Sequence, residues 1–288
     1  MDFFLSRPYN LARQFGRQGY FMVENKDDAK VDQPTLGERF NRVHSAHLQS
    51  STLQRVWRNA YGDDYPEEVR PSAFYSRSTL LHLMAGLQVG PGQTVVDLGC
   101  GNGGAALWIA RELGTNLIGI DLSTAGVAAA TERAAELSLS NTVRFQEGDL
   151  TATGLPSASC DAAVSLDVLY AVPDKTAAIE EIARILPPGA RFGFTTWEEE
   201  GYSERLKAMQ IPDHRPVLDA AGFDVELYRE PANWREQQQA VLEGLLASEQ
   251  DLAVERDRLT ADHFMALANG MLSAMPKRRY VEILARRR

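Results

Sequence analysis

The sequence predicts an α/β fold of the Rossmann-like kind, with a helical N-terminal region and a helical insertion before its last strand. Three observations carry this. After Gly90-Pro91-Gly92, short apolar runs alternate with stretches of helical period. The first of these runs ends in a glycine-rich turn that opens a helix. The regions outside the alternation, 1–85 and 234–276, read as helical or irregular.

Within 1–85, apolar residues recur at helical spacing over 36–48 and 53–61, and a third helix is expected over 76–87. Residues 23–35 are polar and read as a connector, and Pro66 and Pro71 punctuate a loop. Strands follow at 94–98, 117–121, 143–146, 161–166 and 191–196. Helices at 105–113, 125–137 and 175–186 separate them, and Pro187-Pro188-Gly189 ends the last of these. A short helix at 215–221 stops at Gly222 and leads to a strand at 224–228. The segment 234–276 reads as two helices meeting near Thr260, and 279–285 as a final strand. Strands spaced by helices of this length form βαβ units, hence a parallel sheet covered on both faces. The expected organisation is an arm and lid over 1–85, a Rossmann-like core over 86–233, an insertion over 234–276 acting as lid or dimer contact, and a core strand over 277–288.

The 288 residues suffice for one large domain, and 44% of them are hydrophobic, enough for a sizeable core. The net charge of −9 argues against a nucleic-acid partner. A basic cluster, Lys277, Arg278, Arg279 and 286–288, is read as a solvated strand edge and tail. The two cysteines, Cys100 and Cys160, suggest neither a disulfide framework nor a zinc site, so a reducing, cytoplasmic setting is expected. Met1-Asp2-Phe3-Phe4-Leu5 does not read as a secretory signal, and no run approaches the roughly 18 apolar residues of a membrane span. No metal is expected: His44 and His47 lie three apart on one predicted helix but lack a matching carboxylate spacing.

The turn Val95-Val96-Asp97-Leu98-Gly99-Cys100-Gly101-Asn102-Gly103-Gly104 lets the backbone approach a ligand closely and ends at a helix N-terminus. Gly99, Gly101 and Gly104 also satisfy the G-x-G-x-x-G spacing of nicotinamide-binding proteins, so the turn alone leaves two cofactors open. Asp97 favours one of them. A carboxylate here would repel a pyrophosphate, whereas S-adenosylmethionine offers an ammonium and a sulfonium. Asp121, 24 residues on, suits a ribose diol in either cofactor. Asp149, with Leu150, can meet an adenine amine and ring. Each aspartate alone would pass as a turn or cap residue. Three at the ends of successive parallel strands mark the ligand crevice of such a sheet.

On the segments VVDLGCGNGG at 95–104, IGIDLS at 118–123, EGDL at 147–150, SLDVLYAVPDK at 165–175 and LPPGARFGFTTW at 186–197, the chain resembles the class I S-adenosylmethionine-dependent methyltransferases. The resemblance spans about 72–230 and is nearest to bacterial small-molecule tailoring enzymes. It implies a seven-stranded sheet whose antiparallel last strand inserts between the fifth and sixth. It also implies that Asp97, Gly99, Gly101 and Gly103 hold the methionine moiety. Asp121 and Leu122 would hold the ribose and adenine, and Asp149 and Leu150 the adenine. Leu166 and Asp167 would lie near the transferable methyl, with Phe74 and Tyr75 covering the cofactor. The motifs of amino-type nucleic-acid methylation, protein arginine methylation and metal-dependent catechol methylation are absent from the corresponding places.

Methyl transfer is an in-line displacement, so alignment and exclusion of water do much of the work, and a hydroxyl acceptor also needs a base. The candidate acceptor-side residues are Asp167 and Tyr170 after the fourth strand, Trp197 and Glu198 after the fifth, His82 on the helix before the first, and His214. Leu242, Leu245, Leu246, Leu252, Phe264, Met265, Met271 and Leu272 give the insertion an apolar face for a lid or for packing. Phe3, Phe4, Tyr20 and Phe21 lie on an arm that can close a pocket or join protomers in a homo-oligomer. The expected activity is methylation of a small hydrophobic or aromatic metabolite in bacterial secondary metabolism, oxygen slightly ahead of carbon and nitrogen. A cyclase on the same fold and, further off, a nicotinamide oxidoreductase are the alternatives. Nucleic acid and membrane are not expected partners.

Overall fold

The computed structural model describes residues 35–71, 73–199 and 211–288. The aromatic arm at Phe3, Phe4, Tyr20 and Phe21 and the connector up to residue 34 lie outside the described residues, as does the His47 side chain. Three helices come first: α1 (Leu36–Gln49), α2 (Ser51–Tyr61) and α3 (Arg77–Leu87). Ser50 and Ser76 cap α2 and α3 by accepting from Leu53 and Thr79 amides, which satisfies donors the helices cannot.

The core runs β1 (Thr94–Leu98), α4 (Gly104–Leu113), β2 (Asn116–Asp121), α5 (Thr124–Glu136), β3 (Val143–Glu147), β4 (Ala162–Leu166), α6 (Lys175–Ile185), β5 (Arg191–Glu199), α7 (Arg215–Ala220) and β6 (Phe223–Arg229). Then come α8 (Trp234–Ala247), α9 (Glu249–Glu255), α10 (Arg258–Ala274) and β7 (Arg278–Arg287). The strands form one seven-stranded sheet in the order β3-β2-β1-β4-β5-β7-β6. β7 runs antiparallel to both neighbours and lies between β5 and β6, as the resemblance implies.

Alternation along the strands builds two cores. Val96, Leu98, Ile118, Ile120, Phe192 and Phe194 face α6 and α7, while Val95, Leu117, Ala162 and Val164 face α3 and α4. Chain order reverses between β1 and β4, which opens the ligand crevice of a parallel sheet at their carboxyl ends.

The insertion holds three helices, not two. Asp257 caps α10 through Thr260, and a further break falls at Ser248. Of its apolar face, Leu242, Leu245, Leu252, Phe264 and Met271 are buried, Leu246, Met265 and Leu272 are half-buried, and α8 packs on α2. Glu255 of α9 accepts from the Ser51 and Thr52 amides at 2.6 and 3.2 Å, and these contacts with its Ser50 and Ser51 hydroxyl bonds hold its carboxyl down at about 2. The insertion thereby ties itself to the start of α2.

The basic C-terminal cluster does not lie on a sheet edge, although Lys277, Arg279 and Arg288 are exposed. β7 is an interior strand, so Arg278 is buried against Glu199, Arg279 pairs with Glu198, and Arg286 pairs with Asp224 and Glu226. Strands β5 and β6 supply the acids, which the sequence alone places far away. Among the described residues, no helix is long and apolar enough to cross a membrane.

Candidate functional site

The glycine-rich turn adopts left-handed backbone at Gly99, Gly101 and Gly103, with φ of 83°, 51° and 76°. Side chains from three elements fill the space that Cβ atoms would need. Val168 meets Gly99, His44 of α1 meets Gly101, and Ala130 of α5 with Phe145 of β3 meet Gly103. Gly103 is also the N-cap of α4 and offers it no side-chain cap, so backbone amides open the helix.

Asp97 ends β1 and is only 2% exposed. Its Oδ1 is buried without a hydrogen-bond partner. Burial, and then the Asp121 carboxylate, push its carboxyl up to about 7. A buried carboxylate left this way is matched by a cationic ligand.

Asp121 ends β2 and is bonded on both oxygens, accepting from the Gly101 amide and the Ser123 amide at 2.7 Å each. It thus clamps the glycine turn to the start of α5. Leu122 is half-buried beside it. Asp149 is exposed and turns onto Thr151, while Leu150 is buried in the core. The three strand-end aspartates therefore differ: two are enclosed and one faces solvent.

Leu166 ends β4 and is buried. Asp167 follows in left-handed backbone, φ 61°, its amide donating to the Thr195 carbonyl and hydroxyl. A non-glycine residue held this way is a local strain that its neighbours must fix. Its Oδ2 accepts from the Phe74 amide and its Oδ1 from the Trp197 indole, both at 3.0 Å. Burial raises its carboxyl to about 6, against the pull of these two donors and Arg278.

Trp197 lies inside β5 and not beyond it, because the strand continues three residues further through its pairing with β7. It packs edge-on against Phe74, Trp234 and Tyr280, with Arg278 over its face. Phe74 also meets Trp57, whose indole donates to the Ala73 carbonyl, and Tyr61 donates to the Phe74 carbonyl at 2.7 Å. Helix α2 thus holds the 73–75 segment down on Asp167. Tyr75 is buried, and burial with the charges of Asp97 and Asp167 raises its phenol. Burial and the Asp167 charge do the same to Tyr170.

The structure thus brings Asp97, Tyr75, Asp167, Tyr170 and Trp197 into one neighbourhood. It does not bring His82 there. The His82 ring pairs with Glu282 of β7, a fully buried carboxylate that also receives Arg229, and such a charge needs these partners. Glu198 and His214 likewise bond each other, on the β5 face opposite Trp197, with Tyr228 and Arg279 completing the network.

Sequence reasoning missed the rest of the aromatic wall, Trp57, Tyr61, Trp234 and Tyr280, which is assembled from distant segments. It also missed Asn41 of α1, and it weighed His44 only as a metal ligand and not as a neighbour of the glycine turn. Their signal was present in the helical spacing of 36–48, but nothing local says what that helix lies on.

Comparison with known proteins bears on the family and the fold. Residues 96–194 match the family model described as a methyltransferase domain. A probable chloroplastic tocopherol O-methyltransferase of Oryza sativa subsp. japonica is 37% identical over 131 residues, covering 44% of this chain and 36% of that protein. A 2-methyl-6-phytyl-1,4-hydroquinone methyltransferase of Synechocystis sp. is 32% identical over 165 residues, covering 55% of this chain and 50% of that protein. The match thus spans a third to a half of these curated relatives. The solved structure of the [4+2]-cyclase SpnF superposes with a TM-score of 0.69 at 23% identity, over 88% of this chain and 94% of that one, a likeness of fold.

Proposed function

Since the chain carries a class I S-adenosylmethionine-dependent methyltransferase domain, we propose that it methylates a small hydrophobic or aromatic metabolite, on oxygen, in bacterial secondary metabolism. The observation that carries the acceptor class is the aromatic wall of Phe74, Trp57, Trp197, Trp234 and Tyr280 beside Asp167. Trp57, Trp197, Trp234 and Tyr280 are buried against one another and Phe74 is half-buried, so the cluster backs the site and Phe74 is the ring it offers an apolar, π-faced acceptor. The Synechocystis relative, whose name gives a hydroquinone bearing a phytyl chain as acceptor, supports the same class.

The residues present fit the cofactor. Asp97, with its unpartnered buried oxygen, would take the ammonium, while Gly99, Gly101 and Gly103 let backbone approach the methionine moiety. Asp121 and Leu122 would hold the ribose and adenine, Asp149 and Leu150 the adenine edge and face. Leu166 and Tyr75 would close the pocket towards the methyl. When bound, S-adenosylmethionine supplies an electrophilic methyl on a sulfonium. Everything else falls to the protein. Tyr75 and Phe74 exclude water and orient the acceptor. Asp167, raised to about 6, is ionised at neutral pH and keeps lone pairs beyond its two bonds, so it can take an acceptor hydroxyl's proton.

Incubation with methyl-labelled S-adenosylmethionine and a panel of phenolic and prenylated phenolic metabolites tests this. Label should move to oxygen of a phenolic acceptor. A panel that reacts with all label left on the cofactor would instead support the cyclase alternative. Calorimetry should show S-adenosylhomocysteine binding and no NADH binding, the reverse removing the cofactor assignment.

A further inference from the structure

Helix α1 lies across the carboxyl ends of β1 and β2. Gly37 approaches the Leu122 carbonyl so closely that a Cβ there would come within 2.8 Å of it. Asn41 docks one turn on. Its Oδ1 accepts from the Ser123 hydroxyl at 2.7 Å and the Ala125 amide at 3.0 Å, and its Nδ2 donates to the Thr124 hydroxyl at 3.3 Å. Asn41 thus caps the start of α5 from another helix. One turn further, the His44 ring stacks on Phe40 at 6.0 Å and lies over Gly101, where a Cβ would come within 2.7 Å of it. Burial lowers its basicity, and the neighbouring Asp121 carboxylate raises it. Its Nδ1 is shielded from solvent and has no hydrogen-bond partner.

The geometry points to His44 as a cofactor-recognition residue, its imidazole closing the nucleoside pocket over Gly101 and hydrogen-bonding the ribose diol beside Asp121. This rests on the cofactor reading above. Each Asp121 oxygen already spends a lone pair on a backbone amide, from Gly101 and from Ser123. Two vicinal hydroxyls carry two donors and four lone pairs. The imidazole of His44 is beside that carboxylate, with a nitrogen still to be satisfied. Its position depends on the Asn41 dock and the Phe40 stack, so α1 is a binding element of the pocket as well as a cover.

The test is calorimetry with S-adenosylhomocysteine and with 5′-methylthioadenosine, which keeps the ribose and adenine but lacks the amino-acid part. His44→Leu should weaken both ligands about tenfold, the worth of one well-made hydrogen bond. His44→Gln, which keeps a donor and an acceptor, should recover part of that loss. Asn41→Ala, which undocks α1, should weaken both ligands as His44→Leu does. Circular dichroism of each variant confirms folding. Unchanged affinity of His44→Leu for both ligands overturns the inference, and a loss confined to S-adenosylhomocysteine overturns the ribose assignment. If the wild-type protein binds neither ligand, the cofactor reading itself fails, which is a different outcome.

Discussion

Asp97 should cost the free protein stability, and Asp97→Asn should recover it while impairing binding. The carboxyl of Asp97 titrates at about 7, against roughly 3.9 for a free aspartate. Below about pH 4 it is protonated in both native and unfolded chains and contributes nothing. Between about pH 4 and 7 the native chain holds the proton more tightly, so stability falls as pH rises. At about 1.4 kcal/mol per pH unit the loss reaches roughly 4 kcal/mol above pH 7, an upper bound for so enclosed a group. Asparagine removes the charge but leaves a buried amide with unmatched valences, costing about 1–3 kcal/mol. The net gain at pH 8 is then about 1–3 kcal/mol, or about 2–12 °C in Tm at the roughly 2–4 °C per kcal/mol of a chain this size. Differential scanning calorimetry of protein dialysed free of cofactor, from pH 4.5 to 8, reads this directly. The variant's advantage should grow with pH, and its affinity for S-adenosylhomocysteine should fall about a hundredfold, since a charged hydrogen bond is worth about 1.5–3 kcal/mol. A variant less stable than wild type at pH 8, or an advantage that does not change with pH, would refute the reasoning.

Three further outcomes follow from the same geometry. Asp121→Ala should weaken S-adenosylhomocysteine at least about tenfold, because it removes an acceptor and frees the Gly101 and Ser123 amides, and calorimetry showing wild-type affinity sinks the ribose role. Gly99→Ala must fit a Cβ within 2.4 Å of Val168 at a φ of 83°, so urea unfolding should show a loss of about 2–5 kcal/mol from overpacking and left-handed backbone together, and a loss under about 1 kcal/mol contradicts the packing. Trp197→Phe removes the indole donor from Asp167, whose pKa should then rise above about 6, moving the acidic limb of the kcat/KM profile to higher pH; an unmoved limb removes Asp167 as the titrating base.

The parallel part of the sheet was legible because its signals are local. β1 and β4 are apolar runs buried on both faces, and Gly99 to Gly104 announce the turn between strand and helix. The strand-end aspartates were legible as a set, but their differing enclosure was not, since that depends on which helix crosses above. β5 was read three residues short because Trp197-Glu198-Glu199 looks polar in sequence. Its carboxylates are buried only because Arg278, Arg279 and His214 arrive from elsewhere. The break at Ser248 was missed, whereas Asp257 carries the capping signature of α10 just before Thr260. His82 looked like a catalytic base from position alone, and only the register of β7 reveals that its ring is engaged by Glu282.

The insertion of β7 between β5 and β6 also sets an order of events on the ribosome. Both neighbouring strands, with α6 and α7 beneath them, emerge before the strand that joins them. Until β7 is made, β5 presents an open edge carrying Phe192, Phe194 and Trp197, and β6 has no partner strand. Synthesis at about 5–20 residues per second leaves that edge exposed for seconds while α8 to α10 emerge. A nascent chain in this state is open to pairing with a second one. Glu198 and Glu199, which the finished sheet neutralises with arginines, keep that edge charged in the interval.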